Sequence, residues 1–198
     1  MKVVIIQYNA GNVMSVTCAL NRLGIEPIVS DEEEVIRSAD RVIFPGVGEA
    51  STAMNYLRKV GLDKVIPSLT QPVFGICLGM QVMCAYSEEN STTCLGIFDH
   101  KILKFQTDDP FLKIPHMGWN TLELTNGALM ENLGENPYAY FVHSYYAEPG
   151  PHSCSLTPYA QEFSSSLHKE NFYGTQFHPE KSGKTGAKIL ENFISLTA

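Results

Sequence analysis

One cysteine lies between two glycines at residues 75–79, which read Gly-Ile-Cys-Leu-Gly. The apolar run 72–76 precedes Cys77 and a helical pattern at 80–86 follows it, so the sequence predicts a strand-to-helix turn. Flanking glycines permit the tight turn of a nucleophile elbow, here with sulfur in place of oxygen. At a helix N-terminus the unpaired N–H groups and the dipole favour the reactive thiolate, and the N–H of Leu78 can face an oxyanion. The segment therefore predicts a nucleophile for acyl transfer.

A histidine and a glutamate two residues apart could supply the base. Pro179 disfavours helical angles at His178, and in an extended chain His178 and Glu180 project to the same side. The carboxylate can then orient the imidazole and stabilise its protonated form. A cysteine with a distant histidine and an acidic partner is typical of thiol acyl transfer. We therefore predict Cys77, His178 and Glu180 as the catalytic residues.

Each motif also has a structural interpretation. A free cysteine is usually a small buried apolar residue, which suits Cys18 and Cys84 because both fall within helical patterns. Taken alone, the His-Pro-Glu segment 178–180 would be a solvent-facing loop. The elbow around Cys77 and the segment 178–180 together favour catalysis. Zinc-ligand spacing is missing from the other histidines, so we expect no metal and no cofactor; they are at positions 100, 116, 143, 152 and 168.

Composition limits the possible classes of protein. The 198 residues are 44% hydrophobic and 18% charged, and we expect one domain over 1–198. A net charge of −7 supplies no field for a phosphate backbone, so nucleic acid is not an expected ligand. No apolar stretch approaches the roughly 20 residues of a membrane span, and the N-terminus lacks signal-peptide features. Five cysteines without a C-x-x-C pair fit free thiols, and we expect a cytoplasmic protein.

Short apolar runs alternate with helical patterns in the first half, which predicts an α/β doubly wound fold with a mostly parallel sheet. The predicted strands are 3–7, 27–30, 41–44 and 72–76, and the helices between them are 15–23, 31–39 and 51–59, of which the last has Ser51 as a candidate N-cap. After about residue 94, short β-like runs indicate added hairpins and edge strands. They are 96–105, 119–124, 138–143, 162–168 and 172–177, followed by an amphipathic helix at 183–196.

The motifs at 75–81 and 178–180 closely resemble those of class I glutamine amidotransferase domains, which carry a Cys-His-Glu triad. The resemblance covers almost the whole chain. Within that family, several further segments are similar to the glutaminase subunits of imidazole glycerol phosphate synthases. These segments are 8–12, 45–48, 115–120, 140–145 and 176–182.

The resemblance implies a glutaminase that passes ammonia to a separate (β/α)8 cyclase subunit in a heterodimer. The cyclase would make imidazole glycerol phosphate and AICAR in histidine biosynthesis. By the family pattern, glutamine is held by Gln81, Glu89, Ser144 and Tyr145, while Val47 and Gly48 complete an oxyanion hole with Leu78. The cyclase would face Asn12, Met117, Trp119 and Lys181. Asn9 and Glu49 depart from the family pattern, which leaves the details of the partner-facing loop open.

Other functions fit the sequence less well. Gly-Lys-Thr at 183–185 suggests a P-loop, but position 178 holds histidine where a Walker A motif needs glycine. Gly-Val-Gly at 46–48 is half of a dinucleotide fingerprint, because position 51 is serine. A non-catalytic binding module would be expected to lose a triad residue. A paralogous glutaminase that serves a different synthase remains an alternative. Glycine flexibility at 46–48 further predicts low glutaminase activity without a partner.

Overall fold

A long mixed β-sheet organises the chain in a computed structural model that describes residues 1–9 and 11–196. In the described part of the chain, eleven strands join this sheet, ten of them in the order β2-β1-β3-β4-β13-β12-β10-β7-β5-β6, with β11 on β12. Strands β8 and β9 form a separate antiparallel pair. The strands are β1 Val3–Ile6, β2 Ile28–Ser30, β3 Arg41–Phe44, β4 Val73–Ile76, β5 Cys84–Ser87, β6 Thr92–Thr93, β7 Phe98–Lys104, β8 His116–Thr121, β9 Tyr138–His143, β10 Tyr145–Ala147, β11 Ser153–Thr157, β12 Phe163–Lys169 and β13 Phe172–Thr175.

The parallel half follows the order predicted from the sequence. Strands β1, β3 and β4 are buried along their whole length, which explains their continuous apolar sequences. Helices connect the strands and cover the sheet. They are α1 Val13–Arg22, α2 Glu33–Arg37, α3 Ala50–Val60, α4 Leu62–Val65, α5 Leu78–Met83 and α6 Gly183–Ser195. The predicted α/β class with added antiparallel strands is therefore confirmed.

Strand β13 joins the two halves of the sheet. It pairs with β4 in parallel, with Thr175 opposite Ile76, and with β12 in antiparallel orientation. The carboxyl ends of β4 and β13 consequently meet at one edge, where the segments that follow each strand begin. None of the described helices is long and apolar enough to cross a membrane.

Some local predictions were wrong. The helix after Cys77 ends at Met83, and Cys84 begins strand β5, because pairing with β6 and β7 overrides the helical pattern at 80–86. Cys18 lies in α1 as expected but is exposed rather than buried. Ser51 does not cap α3, since its hydroxyl donates to the side chain of Glu49, the N-cap residue.

The strand predicted at 119–124 begins earlier than expected. Strand β8 starts at His116, which is paired with His143 on β9. Cross-strand pairing therefore fixes the start of this strand, and the apolar pattern of the sequence does not show it.

Candidate active site

Cys77 occupies a strained turn between β4 and α5. Its backbone angles are φ 53° and ψ −108°, a region that non-glycine residues rarely adopt. The Cys77 N–H donates to the Thr175 carbonyl at 2.7 Å, which extends the β4–β13 pairing by one residue. Gly79 is required by close packing, because a Cβ there would overlap the carbonyl of Phe44. In this turn the strained backbone angles are those of Cys77, and Gly79 lacks the Cβ that would overlap Phe44.

His178 and Glu180 form a buried pair in the segment that follows β13. His178 Nδ1 lies 2.8 Å from Glu180 Oε1, and both side chains have 0% exposure. His178 has the extended conformation predicted from Pro179, with φ −98° and ψ 95°, and its N–H donates to the Tyr140 carbonyl at 3.0 Å.

Opposing effects set the charges of this pair. Burial lowers the pKa of His178, but the charge on Cys77 and the hydrogen bond and charge of Glu180 outweigh it and raise that pKa to about 10. Burial raises the pKa of Glu180, but the hydrogen bonds from His178 and Asn12 outweigh it and leave that pKa below its usual value. At neutral pH the pair is therefore an imidazolium beside a carboxylate.

The thiol and the imidazole approach each other across the two strands. Among the described residues, His178 Nε2 has no nitrogen or oxygen partner, although Cys77 acts directly on the pKa of this ring. Gln176 Nε2 donates to Cys77 Sγ at 3.6 Å. Nε2, the ring nitrogen without a partner, is thus on the opposite side of the imidazole from Glu180. A histidine that carries a proton between a thiol and a ligand needs this arrangement.

A cavity of about 330 Å³ opens onto Cys77. Glu89 brings a carboxylate to its wall, with Oε2 accepting the Ala50 N–H at 2.7 Å, and burial raises the pKa of Glu89 more than this hydrogen bond lowers it. Gln81 Nε2 donates to the Tyr145 carbonyl and to Gln176 Oε1, each at 2.9 Å. All residues predicted for glutamine and for the oxyanion line this cavity: Val47, Gly48, Leu78, Gln81, Glu89, Ser144 and Tyr145.

The predicted oxyanion donor is engaged elsewhere in this structure. The Leu78 N–H donates to the carbonyl of Gly46 at 3.3 Å, a long hydrogen bond. Gly48 has φ 120°, which favours glycine. A different conformation of the 46–48 loop would release the Leu78 N–H from this hydrogen bond.

Asn12 lies closer to the His178–Glu180 pair than its predicted cyclase-facing position implies. Its Nδ2 donates to Glu180 Oε1 at 2.6 Å and lies 3.3 Å from His178 Nδ1. The side chain therefore points inward, because Glu180 offers a buried carboxylate at the start of α1. Ala10, in the same motif at 8–12, lies outside the described residues.

The other predicted partner-facing residues are at the surface. Met117 and Trp119 lie two residues apart on the same face of β8 and are 67% and 55% exposed. Trp119 is therefore not the core residue of a hairpin. Lys181 is exposed, and its Nζ lies 6.0 Å from the centre of the Tyr140 ring. These three residues contribute apolar and cationic side chains to the surface.

Sequence reasoning missed a second buried histidine pair. His116 Nδ1 lies 3.0 Å from His143 Nε2, and His143 Nδ1 lies 2.8 Å from the Tyr145 carbonyl. Burial lowers the pKa of His116 to about 4 and that of His143 to about 3. Both residues fall inside segments that were singled out in the sequence. Side chains of a strand alternate between its two faces, so a surface position for Met117 and Trp119 could have indicated an inward position for His116, and the paired strand the same for His143.

Comparison with known proteins gives consistent results. The model of the glutamine amidotransferase class-I family matches residues 4–196. Imidazole glycerol phosphate synthase subunit HisH from Bacteroides thetaiotaomicron is 54% identical over 99% of this chain and 100% of the relative. The protein of the same name from Pasteurella multocida is 46% identical over 97% and 96%.

Solved structures support the same fold. A glutamine amidotransferase from Thermotoga maritima has a TM-score of 0.64 at 13% identity, covering 98% of this chain and 82% of the other. PurLQS from the same organism has a TM-score of 0.65 at 16% identity, covering 98% and 97%. At these identities the likeness concerns the fold alone.

Proposed function

Because the chain belongs to the class I glutamine amidotransferase family, we propose that it is the glutaminase subunit of an imidazole glycerol phosphate synthase. The full-length identity to subunits of that name supports this function. The observation that carries the proposal is the strained Cys77 turn at the cavity, with the buried His178–Glu180 pair beside it.

The proposed reaction begins with attack of the Cys77 thiolate on the side-chain amide carbon of glutamine. The resulting tetrahedral oxyanion is stabilised by the Leu78 N–H and by a donor from the 47–48 peptide. His178 gives its proton to the departing nitrogen, and the C–N bond breaks to leave ammonia and a γ-glutamyl thioester. His178 then deprotonates a water that attacks the thioester, and glutamate and the thiolate are released. Glu180 keeps the ring aligned throughout.

The cavity accounts for selection of a free amino acid. Glu89 supplies a carboxylate for the α-ammonium group, and Gln81 holds the Tyr145 segment that forms part of the wall. Ser144 and Tyr145 provide further polar groups along the cavity. A ligand without an α-ammonium group would leave the Glu89 carboxylate without a cationic partner.

The partner in this proposal is a (β/α)8 cyclase subunit that docks on the surface of Met117, Trp119 and Lys181. Ammonia is lost if it reaches solvent, so hydrolysis and consumption need a sealed interface. The cyclase would use the ammonia to make imidazole glycerol phosphate and AICAR in the cytoplasm. The long Leu78–Gly46 hydrogen bond supports low activity of the free subunit, because docking can favour the loop conformation that releases the Leu78 N–H.

Removal of the nucleophile tests the chemistry. We expect Cys77→Ala to reduce glutamate release to background in the presence of a cyclase and its ligand, because no thioester can form. Cys18→Ala removes an exposed thiol from the same protein and serves as the matched control with unchanged turnover. Full glutamate release by Cys77→Ala would refute the proposed mechanism.

The partner assignment needs its own experiment. Glutamine labelled with ¹⁵N in the amide group is supplied to the purified pair, and we expect the label in imidazole glycerol phosphate. A paralogous glutaminase for another synthase would still release glutamate from glutamine but would transfer no label to this product.

A further inference from the structure

Tyr8 is a buried tyrosine whose hydroxyl has no use in the mechanism above. It lies two residues after the end of β1, and its ring packs on Phe44 with centroids 5.2 Å apart. The side chain is 6% exposed, and within residues 1–9 and 11–196 its hydroxyl has no hydrogen-bond partner. Buried hydroxyls are usually paired, and an unpaired one destabilises the state that contains it.

The hydroxyl lies against the 46–48 loop. A Cβ on Gly46 would overlap the Tyr8 oxygen, so the two groups are in direct contact. Burial raises the pKa of Tyr8, and the charge on the nearby Cys77 raises it further. The group is therefore a protonated donor close to the nucleophile.

Hydrogen-bond pairing differs between the two conformations of the loop. In the structure, the buried Gly46 carbonyl accepts the Leu78 N–H, and the Tyr8 hydroxyl is unpaired. When the Leu78 N–H turns to the oxyanion, the Gly46 carbonyl loses its donor. A buried carbonyl without a donor would disfavour the catalytic conformation.

We propose that Tyr8 is a positioning residue for the oxyanion site, whose hydroxyl donates to the Gly46 carbonyl when the Leu78 N–H turns to the oxyanion. This inference rests on the proposed glutaminase function. In the conformation of the structure the Tyr8 hydroxyl is unpaired, whereas in the catalytic conformation the hydroxyl, the Gly46 carbonyl and the Leu78 N–H would all be paired. The hydroxyl therefore favours the catalytic conformation by one hydrogen bond. Tyr8 makes and breaks no covalent bond, and the nucleophile and base are unchanged.

Tyr8→Phe separates this role from a packing role. We expect kcat for glutamate release to fall roughly five- to thirtyfold, the factor that one hydrogen bond contributes, with KM for glutamine unchanged. Stability to urea should stay equal or rise, because the variant removes an unpaired buried hydroxyl. The rate of Cys77 alkylation by iodoacetamide, followed by mass spectrometry, should be unchanged because alkylation forms no oxyanion.

Tyr56→Phe is the matched control, since the Tyr56 hydroxyl is paired with Asp31 Oδ2 at 3.1 Å on the outer surface. This variant should keep kcat. Unchanged kcat in Tyr8→Phe would overturn the inference, as would a loss of stability or of Cys77 alkylation parallel to the loss of kcat. If Cys77→Ala still releases glutamate, the glutaminase mechanism itself fails; if Cys77→Ala is inactive while Tyr8→Phe is fully active, only the role of Tyr8 fails.

Discussion

Two buried pairs, His178–Glu180 and His116–His143, have opposite electrostatics. The pKa of His178 is raised to about 10, whereas that of His143 is lowered to about 3. Burial lowers the pKa in both cases. The neighbours differ. The carboxylate of Glu180 contacts His178, and Cys77 also raises the pKa of His178, whereas His143 contacts the neutral ring of His116 and a carbonyl. Burial therefore makes a histidine neutral unless an anion is buried with it.

The neutral pair is suited to holding structure. His143 Nδ1 can donate to the Tyr145 carbonyl only if its Nε2 accepts from His116, which fixes both tautomers. Gln81 donates to the same carbonyl at 2.9 Å. The pair thus keeps the Tyr145 segment in place along the cavity without bringing a second positive charge near His178.

The largest expected effect comes from removing Glu180, one of the two groups that raise the pKa of His178. Glu180→Gln should lower the pKa of His178 from about 10, because the hydrogen bond and the charge of Glu180 are lost while Cys77 remains, and should reduce glutamate release roughly a thousandfold or more. NMR titration of the imidazole and a glutamate assay measure the two effects. Glu191→Gln, which removes an exposed partner of Lys188, is the control. A His178 pKa that stays near 10 in Glu180→Gln would contradict this account.

The two pairs should also give opposite pH dependence of stability. The raised pKa of His178 stabilises the fold fully below the unfolded value near 6.5, and this contribution is lost as pH rises through about 10. The lowered pKa values of His116 and His143 oppose folding as pH falls from about 6.5 through 4 to 3. Each pKa unit corresponds to about 1.4 kcal/mol, so effects of a few kcal/mol are expected.

Urea unfolding between pH 3 and pH 11, as approximate limits, measures both effects. His178→Gln should reduce the alkaline loss, and His143→Gln should reduce the acid loss. Identical pH profiles for these two variants would show that the pairs do not differ as described.

A smaller effect is expected from replacing Asn12, which contacts the charged His178–Glu180 pair and not the neutral His116–His143 pair. Asn12→Gly removes the donor to Glu180 and retains the left-handed backbone, where φ is 84°. We expect roughly a tenfold loss of glutamate release, because a hydrogen bond to a buried carboxylate is lost. Asn136→Gly, at another left-handed asparagine with φ 49°, is the control. Equal turnover of the two variants would exclude a role for Asn12.

The sequence predicted the features that depend on neighbouring residues. The Cys77 turn follows from a strand, a cysteine between glycines and a helix in direct succession, and the extended conformation of His178 follows from Pro179. The same locality explains why the strands of the parallel half were found. Their apolar runs are continuous because both faces are buried.

Other features depend on residues distant in the chain and were not predictable in the same way. The pairing of His116 with His143 depends on the register of β8 against β9. The engagement of the Leu78 N–H depends on the conformation of Gly46, and the inward position of Asn12 depends on a glutamate 168 residues away. Strand β5 replaced a predicted helical turn because its partners β6 and β7 come later in the chain.

The pairing of β4 with β13 has a consequence for protein synthesis. Cys77 leaves the ribosome about a hundred residues before His178, and the hydrogen bond from Cys77 N to the Thr175 carbonyl forms only after β13 has been made. A nascent chain therefore contains the thiol but neither the base nor the strand that aligns it. A nascent chain that has not yet reached His178 is therefore not expected to hydrolyse free glutamine.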